Sequence, residues 1–300
     1  MIIKERTSPL SLCVWESLYY RTHLSKEQKK EYVNQVMGFE GEQQFDRHLE
    51  QVDYEYAAIH DLMLTNGGQL VQIDSLLLTN NKLYVYEIKH YSLDYTFTED
   101  GLYAKSGFMV PNPLSQLQKN RIFLYNLIRS LGYQLEVEAF VFYINTHSYL
   151  YELPREKPIL FPHQLDYHFS SINKTNAPLK KQHKRLMENL KALHISEYRS
   201  DYLPTYAYHD LKKGLRCVNC SSLTYTHTVK IQLCTCGSKE AIKEAILRNI
   251  EEYRMLFPNE KLTTQIIHDW CGKKVDKQRI QRILREHFQS HGTNKNTYYS

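Results

Sequence analysis

The sequence has 300 residues, of which 42% are hydrophobic and 24% are charged, and its formal net charge is +5. This length exceeds one average domain, so we expect two or three units that each bury a hydrophobic core. A pI near 8.7 is mildly basic and excludes the extreme composition of a histone-like protein. The basic excess is local, because residues 271–300 carry seven lysines and arginines against two acidic residues. This excess suggests a polyanionic partner, although a solvated helix face is the other interpretation.

Membrane association and secretion are not expected. No run of residues is apolar for long enough to span a bilayer. The N-terminus places Lys4, Glu5 and Arg6 where a signal peptide needs a continuous apolar core. Four of the six cysteines cluster at metal-ligand spacing instead of spreading along the chain as a disulfide framework. We therefore expect a cytoplasmic protein with no membrane partner.

The first long predicted element is a helix over residues 25–52. Phe45 and Leu49 supply apolar positions at helical spacing, and Gly38 and Gly41 are expected to break the helix. Strands are then predicted at residues 56–64, 70–79 and 82–91, followed by less regular strand patterns at 93–97 and 102–110.

A second helix is predicted to begin at Pro113, which suits a first helical turn, with Asn112 as its N-cap. It runs to about residue 131, and Gly132 ends it. Residues 137–144 then read as a buried strand. The order of helix, strands, helix and strand predicts an α/β unit.

Polar residues end the two strands of a predicted hairpin. These strands meet at an Asn-Asn pair at residues 80–81, which tolerates a tight turn. Glu87 and Lys89 lie two apart on one strand and share a face, and Asp74 can face them from the partner strand. Two carboxylates and an ammonium are costly to bury for structure alone. They are what a site needs if it binds Mg²⁺ and cleaves a phosphodiester.

These residues and three further motifs resemble the nuclease-related domain (NERD) of the PD-(D/E)xK nuclease superfamily. Asp74, Glu87 and Lys89 are similar to its D…ExK signature. The motifs resemble G-x-x-G-E, Q-I-D, E-[VI]-K and N-P-x-x-Q, and they stand in that order at residues 38–42, 72–74, 86–89 and 112–116. The resemblance covers roughly residues 35–145 and implies a restriction-endonuclease-like core, in which a mixed central sheet is flanked by helices. Nuclease folds also serve as binding modules, so the resemblance bears on the fold more than on activity.

The resemblance implies a divalent metal site. Asp74 and Glu87 would bind one Mg²⁺ or Mn²⁺, with the backbone carbonyl of Ile88 as a further ligand. Glu42 would complete the ligand shell directly or through water. The alternative for Glu42 is an ordinary solvated carboxylate on a helix. Mg²⁺ keeps several of its waters, so two or three acidic ligands are enough.

The resemblance also implies two catalytic groups that do not bind the metal. Lys89 would position the attacking water or offset charge at the scissile phosphate. Gln116, one turn into its helix, would orient a phosphate or a metal-bound water. The alternatives are a surface ion pair between Glu87 and Lys89 and a helix-surface amide at Gln116.

A second metal site is predicted near the C-terminus. The pairs Cys217/Cys220 and Cys234/Cys236 are separated by thirteen residues that contain strand-like sequence. Four thiolates across a short hairpin resemble a zinc ribbon, in which Zn²⁺ replaces the core that so small a unit cannot build. The second pair departs from C-x-x-C by one residue. His227 as a substitute ligand and four reduced surface thiols are the alternatives.

Helices are predicted at residues 239–257, 262–270 and 276–288, with a turn at 271–274. A helix, a short turn with glycine and a second helix are typical of a helix-turn-helix. The last helix would present side chains able to contact phosphates or bases, and these are Lys277, Arg279, Gln281, Arg282 and Arg285. A plain three-helix bundle with a solvated basic face is the alternative.

Five segments are therefore predicted. They are an N-terminal helical extension (1–34), a nuclease-like domain (35–145), the remainder of that core or a connector (146–210), a zinc ribbon (211–238) and a helix-turn-helix-like domain (239–300). The leading hypothesis is a Mg²⁺-dependent nuclease acting on nucleic acid, with DNA as the expected substrate. A non-catalytic nucleic-acid-binding protein on a nuclease-like scaffold is the alternative, and a third hypothesis makes the C-terminal region a protein-interaction module.

Overall fold

The computed structural model describes residues 1–174, 177–196, 203–223, 225–228, 230–293 and 296–300. The chain divides into two compact units, of which the first comprises Met1–Ser8 and Asn34–Tyr198 and the second Pro9–Val33 and Arg199–Ser300. The five predicted segments are finer than these units, and that division stays a prediction. Residues 175–176 and 197–202 of the predicted connector and Lys295 of the basic terminal segment lie outside the described residues.

The helices within the described residues are α1 (Leu10–Arg21), α2 (Lys26–Glu50), α3 (Pro113–Ser130), α4 (Pro162–Asn173), α5 (Lys181–Ala192), α6 (Ile242–Leu256), α7 (Thr264–Trp270) and α8 (Lys277–His287). The strands are β1 (Ile2–Lys4), β2 (Ala57–Asn66), β3 (Gln69–Leu78), β4 (Lys82–Lys89), β5 (Tyr95–Phe97), β6 (Gly101–Ala104), β7 (Met109–Pro111), β8 (Glu136–Tyr143), β9 (Leu150–Tyr151), β10 (Ile159–Leu160), β11 (Tyr225–His227), β12 (Ile231–Cys234), β13 (Lys239–Ala241), β14 (Ser290–His291) and β15 (Tyr298–Tyr299).

The first unit is built on a six-stranded sheet in the order β1-β2-β3-β4-β8-β10. β3 pairs antiparallel with both β2 and β4, whereas β1 pairs parallel with β2, and β8 pairs parallel with both β4 and β10. The predicted α/β fold with a mixed central sheet flanked by helices is therefore confirmed. β4 lies inside the sheet, which explains why its residues form an almost continuous apolar run.

Helices cover both faces of this sheet. On one face, side chains of α3 and α5, among them Leu124, Ile128 and Leu186, pack in one core with Leu76 and Val85 of the sheet. On the other face, Phe45 of α2 and Phe169 of α4 pack with Tyr86 and Phe142. Strand alternation therefore sends Leu83, Val85 and Glu87 toward α3, because residues two apart share a face.

The predicted boundaries agree with the structure around the hairpin and differ in the small second sheet. β3 ends at Leu78 and β4 begins at Lys82, so the turn lies at the predicted Asn-Asn pair, although neither Asn80 nor Asn81 adopts a positive φ. The predicted strand at 102–110 forms two strands, β6 and β7. They belong to a four-stranded sheet in the order β7-β6-β5-β9.

The prediction that Gly38 and Gly41 break the helix over residues 25–52 is wrong, because α2 runs without interruption from Lys26 to Glu50. Packing explains Gly41, since a Cβ at this position would lie 2.9 Å from both His90 Cβ and Ile144 Cγ2. Gly41 therefore marks a close approach of α2 to the sheet. A Cβ at Gly38 would meet nothing within 4 Å.

The second unit combines α1 with the C-terminal helices around one core that includes Leu18, Ile246, Trp270 and Leu284. The helix predicted to begin at residue 239 begins at Ile242. Residues 239–241 form β13, which pairs with β12 in a three-stranded sheet. After α8, β14 and β15 form a two-stranded hairpin, and Tyr299 bridges back to Leu262 in the connection between α6 and α7. None of the described helices has the length and apolarity needed to cross a membrane.

We expect opposite effects from alanine at the two glycines of α2. Gly41→Ala should lower the free energy of unfolding of the first unit by about 1–3 kcal/mol, because the new methyl group overlaps two side chains. Gly38→Ala should raise it by about 0.5–1 kcal/mol, because alanine is the better helix former and the site is open. Urea denaturation of both variants measures these changes, and equal destabilisation by the two would contradict the packing argument.

Candidate functional site

The candidate site lies where the β3–β4 ladder ends. The last cross-strand pair is Ser75 with Tyr86, so Asp74 and Glu87 follow directly opposite each other. Opposed residues of an antiparallel pair send their side chains to one face. Asp74 Oδ2 accepts a hydrogen bond from the Ile88 backbone N–H at 2.7 Å, so a side chain here replaces a ladder contact.

An irregularity on the other side of β3 accompanies this arrangement. The β2–β3 ladder skips the pair Asp61–Asp74, although the pairs on both sides of it are formed. Asp61 has φ = 50°, a left-handed conformation that aspartate tolerates better than most residues. Its Oδ1 accepts a hydrogen bond from Gln72 Nε2 at 3.1 Å. Asp74 is therefore released from regular pairing on both edges of its strand.

Lys89 lies at the centre of a second group of contacts. Its ammonium donates to Glu87 Oε1 at 2.6 Å and to Gln116 Oε1 at 3.2 Å. Asn120, one helical turn after Gln116, donates to the other oxygen of Glu87 at 3.3 Å and to the Gln72 carbonyl at 2.9 Å. Two side chains of α3 thus hold the Glu87–Lys89 pair.

The N-terminus of α3 has the predicted local structure. Asn112 is its N-cap, and the Asn112 side chain accepts a hydrogen bond from the backbone N–H of Leu114 at 3.0 Å. Pro113 occupies the first helical position, where it loses no intrahelical hydrogen bond. This cap fixes where α3 starts and therefore places Gln116 one turn later beside Lys89.

Arg6 joins the candidate site to α2. Its guanidinium donates to Glu42 Oε2 at 2.5 Å, to Asp46 Oδ2 at 2.7 Å and to the backbone carbonyl of Asp74 at 2.7 Å. Asp46 also lies 3.0 Å from Nδ1 of the buried His60. The structure therefore places Glu42 in a bidentate arginine network with Asp46, which the sequence did not predict.

Burial and charge repulsion raise the pKa of the acidic groups. Burial, and then the charge of Asp74, raise the pKa of Glu87 to about 8, although Lys89 opposes the shift. The same two causes raise the pKa of Glu42 to about 8 against the effect of Arg6. The pKa of Asp74 is also raised by burial. Burial lowers the pKa of Lys89, but Glu87 and Asp74 more than offset it, so the net shift is upward.

The donors at this site fit a hard divalent cation. Asp74 and Glu87 are 7% and 1% exposed, and burial raises the pKa of both, so a cation beside them would favour their ionised forms. Within the described residues, the cysteines below form the one group in which three or more His, Cys, Asp or Glu ligand atoms all lie within 4.8 Å. A cation beside Asp74 and Glu87 would therefore take its other ligands from backbone carbonyls and water, as Mg²⁺ commonly does.

The four predicted zinc ligands come together in the second unit. Their Sγ atoms lie within 4.8 Å of one another, with 3.8 Å between Cys217 and Cys236 and 3.5 Å between Cys220 and Cys234. A tetrahedron with Zn–S bonds of about 2.3 Å has edges of about 3.8 Å, so the cluster fits Zn²⁺. Cys234 and Cys236 both belong to the cluster, although one residue separates them instead of two. His227 is not in the cluster.

Local backbone contacts favour metal binding at the cysteine cluster. The Ser238 backbone N–H is the main cause that lowers the pKa of Cys236 to about 6. A thiolate is the form that binds metal. Gly237 has φ = 86°, which allows the tight turn after Cys236 and the hydrogen bond from its N–H to the Cys234 carbonyl at 3.0 Å.

The five predicted nucleic-acid contacts do not lie on one face of α8. Lys277 donates to Gln265 Oε1 of α7 at 2.5 Å. Arg282 lies 4.0 Å from Glu286, one turn later. Arg279 and Gln281 are partly buried, whereas Arg285 is exposed. Six residues connect α7 to α8, which is longer than the three- or four-residue turn of a typical helix-turn-helix, and that interpretation stays a prediction.

Sequence reasoning missed Arg6, Asp46 and Asn120. Asn120 had a detectable signal, because it follows Gln116 by four residues and so shares its helix face. Asp46 likewise follows Glu42 by four residues. Arg6 had no such signal, since its partners are separated from it by 36, 40 and 68 residues.

Comparison with known families supports the resemblance. Residues 37–144 match the model of the nuclease-related domain, NERD. The match supports a nuclease-like scaffold for this segment and points to nucleic acid as the partner. It includes Glu42, Asp74, Glu87, Lys89 and Gln116. Their catalytic and metal-binding roles stay predictions, and the match covers well under half of the chain.

Other comparisons add little. No curated protein matches the chain. Among solved structures, the crystal structure of the protein of unknown function AF1548 covers 83% of this chain and 95% of its own, at 10% identity. Its TM-score of 0.22 is too low to support an argument about fold or function.

The raised pKa of Glu87 predicts a pH dependence of stability. Its pKa is about 8 in the folded protein and 4.5 in its ordinary state. The folded protein therefore binds this proton more tightly, and the stability it contributes is complete below pH 4.5 and falls as the pH rises toward 8. Between pH 5 and pH 8, without added divalent cations, the melting temperature of Glu87→Gln should fall by less than that of the wild type.

The matched control for this measurement is Glu136→Gln. Glu136 is an exposed glutamate that pairs with Lys82 near the start of β4, far along the strand from Glu87. This variant should keep the pH profile of the wild type. A Glu87→Gln profile that also parallels the wild type would show that Glu87 is not the group whose titration weakens the fold.

Zinc should be measurable directly. We expect about one zinc per chain by elemental analysis of the purified protein and loss of this zinc in Cys220→Ser. Removal of zinc should expose the backbone amides near residues 215–237 to hydrogen exchange and leave the first unit protected, because that unit buries its own core. Cys13→Ser, outside the cluster, is the control. Protected amides in zinc-free protein would contradict the assignment.

Proposed function

We propose that this protein is a divalent-metal-dependent nuclease that hydrolyses phosphodiester bonds, with DNA as its substrate. The observation that supports this most is the convergence of Asp74, Glu87 and Lys89 at the end of one antiparallel strand pair. Burying two carboxylates beside one ammonium destabilises a fold. Such a group is therefore expected where function requires it. The NERD match over residues 37–144 supports the same reading.

In this proposal, Asp74 and Glu87 bind Mg²⁺ or Mn²⁺, and the Ile88 carbonyl is a third protein ligand. The N–H and C=O of one strand residue point to the same side, and the Ile88 N–H already contacts Asp74. The Ile88 carbonyl therefore faces the same edge. A bound divalent cation would supply Lewis-acid stabilisation of the phosphate and lower the pKa of a bound water.

Lys89 acts as a cation and hydrogen-bond donor in this mechanism, not as a base. Its raised pKa keeps it an ammonium near neutral pH. Glu87 and Gln116 fix two of its hydrogen bonds, so the third N–H can be directed at an attacking water or a phosphate oxygen. Gln116 has an exposed amide that orients a phosphate or a water on the solvent side of Lys89.

Of the two roles that the resemblance implies for Glu42, direct metal binding is the one that its contacts oppose. Its hydrogen bond and ion pair with Arg6 compete with a metal for the same carboxylate. Arg6 also binds the Asp74 carbonyl, so it can transmit the position of α2 to the strand that bears Asp74. We therefore propose that Glu42 contributes through Arg6 or through a metal-bound water.

The second unit is proposed to dock the nucleic acid. The zinc ribbon and the basic helix α8 lie in one compact unit, and α8 supplies Lys277, Arg279, Gln281, Arg282 and Arg285 as candidate contacts. Positive side chains bind phosphates without recognising the base sequence. The slope of binding affinity against salt concentration reports how many such contacts form.

One observation favours the alternative of a non-catalytic nucleic-acid-binding protein. Arg6 and Lys89 partly neutralise the acidic groups in the absence of a metal, because Arg6 contacts the half-buried carboxylates of Glu42 and Asp46 and Lys89 contacts the buried one of Glu87. A scaffold with its charges compensated in this way can bind nucleic acid without cleaving it. The cleavage experiment below separates the two functions.

Alanine at Asp74 or at Lys89 should reduce Mg²⁺-dependent cleavage of a DNA substrate by roughly 100-fold or more, since each removes a group that acts on the transition state. Lys82→Ala is the matched control, because Lys82 lies at the other end of β4 and pairs with Glu136 and Glu138. It should retain wild-type cleavage. Absence of cleavage in the wild type, with DNA binding intact, would favour the non-catalytic alternative.

A further inference from the structure

A groove in the second unit runs between the β11–β12 hairpin and α8. It consists of two adjoining open cavities of about 830 Å³ and 410 Å³, and both are lined by Arg279 and Arg282. His227 and Lys274 line the larger cavity, whereas Lys230 and Lys243 line the smaller one. The groove therefore extends along one side of α8 and onto the hairpin that bears Cys234.

The lining of this groove has an excess of positive charge. Five basic side chains face two acidic ones, Asp276 and Glu286. Asp276 caps α8 and accepts hydrogen bonds from the backbone N–H groups of Gln278 and Arg279 at 2.9 Å and 3.1 Å. Glu286 pairs with Lys243 at 2.9 Å. The acidic groups are thus engaged locally, and a polyanion would meet a positive surface.

The groove lacks the apolar anchors that a protein partner normally uses. Its branched apolar residues, Ile242, Val275 and Ile283, are at most 4% exposed and belong to the core. Protein interfaces depend on large side chains that fill pockets at their centre. Exposed basic groups without such pockets fit a sugar-phosphate backbone better.

We propose that this groove binds the phosphate backbone of a nucleic acid, through Arg279 and Arg282 of α8 together with Lys230, Lys243 and Lys274. The proposal rests on the nucleic-acid function proposed above but not on its catalytic step. It places the contacts on the side of α8 that faces the ribbon. Lys277, engaged with Gln265, and Arg285 lie outside this lining.

Zinc and nucleic-acid binding are coupled through the hairpin. Lys230 lies between β11 and β12, and its carbonyl accepts a hydrogen bond from Ile242 N–H at the start of α6 at 2.9 Å. Four residues further along, Cys234 is a zinc ligand candidate at the end of β12. Loss of zinc releases this hairpin, so Lys230 and His227 lose their places opposite α8.

The test measures binding of a fluorescent 20-base-pair DNA duplex to the full-length, zinc-loaded protein without Mg²⁺, over a range of salt concentrations. The groove variant is Lys230→Ala with Lys274→Ala. The matched variant, Lys29→Ala with Lys30→Ala, removes the same charge from the part of α2 that belongs to the second unit. A third variant, Lys277→Ala with Arg285→Ala, removes it from α8 outside the groove and should lose less affinity than the groove variant. All six residues are exposed, and zinc content together with the melting temperature verifies folding.

The groove variant should bind roughly tenfold or more weakly and lose about two units of log–log salt slope, one for each phosphate contact. The matched variant should change the affinity less than about twofold. Zinc removal should weaken wild-type binding at least as much as the groove variant does. A single strand of the same sequence shows whether the groove needs a duplex.

Two outcomes would overturn the proposal in distinguishable ways. If the third variant loses affinity and the groove variant does not, the outer face of α8 is the binding surface, and the nucleic-acid function stands without the groove. If neither the groove variant nor the third variant changes affinity or salt slope, the second unit does not dock nucleic acid. Cleavage of DNA by the protein, measured separately, tests the proposed nuclease function.

Discussion

The candidate site depends on the compensation of charge that is buried at one end of the central sheet. Glu87 and the guanidinium of Arg6 are nearly inaccessible to solvent, and Asp74 is only slightly more exposed. An unpaired charge in such surroundings costs several kcal/mol, so every buried charge here needs a partner. Arg6 forms ion pairs with Glu42 and Asp46, and Lys89 forms one with Glu87. Removal of Lys89 would leave the buried carboxylate of Glu87 uncompensated.

This constraint explains why the short N-terminal strand belongs to the first unit. β1 pairs parallel with β2, and Lys4 donates to the carbonyls of His60 and Asp61 at 2.9 Å and 2.8 Å. Arg6, two residues beyond β1, can then reach α2 and the Asp74 carbonyl together. One guanidinium thus joins α2 to β3, next to the strand that β1 adds to β2. The same guanidinium occupies the carboxylate of Glu42, so the acidic residues form one group with arginine and another around Lys89.

The sequence predicted the parts of this site that depend on local geometry. Alternation along a strand puts Glu87 and Lys89 on one face, and the Asn-Asn turn sets the register that brings Asp74 opposite Glu87. The Asn112 cap and Pro113 locate Gln116 in the same way. These relations act over a few residues, or across one tight turn, so a single sequence contains them.

The sequence could not predict relations that depend on long-range packing. Glycine is a poor helix former, yet Gly41 lies inside a continuous helix. Only glycine at this position lets α2 approach His90 and Ile144 closely. Residues 239–241 have a helical pattern, but pairing with β12 satisfies their backbone and delays α6 until Ile242. In both places a tertiary contact outweighs a propensity worth only about 1 kcal/mol or less per residue.

A buried arginine organises the second unit as well, and its role explains the placement of α1. Arg21 is fully buried, donates to Glu252 at 2.5 Å and to Asn249 at 2.9 Å, and stacks 4.0 Å from the centre of the Trp270 ring. It also donates to the carbonyls of Lys212 and Gly214, immediately before the cysteine cluster.

A helix near the start of the chain thus supplies the cation for a core made of residues near its end. The ribbon has few apolar residues of its own, so the segment that leads into it depends on this anchor and its hairpin on the four cysteines. Arg21 and the cysteine cluster therefore hold this part of the chain from two sides. The hairpin wall of the basic groove beside α8 follows the segment that Arg21 holds, and it ends at Cys234 of the cysteine cluster.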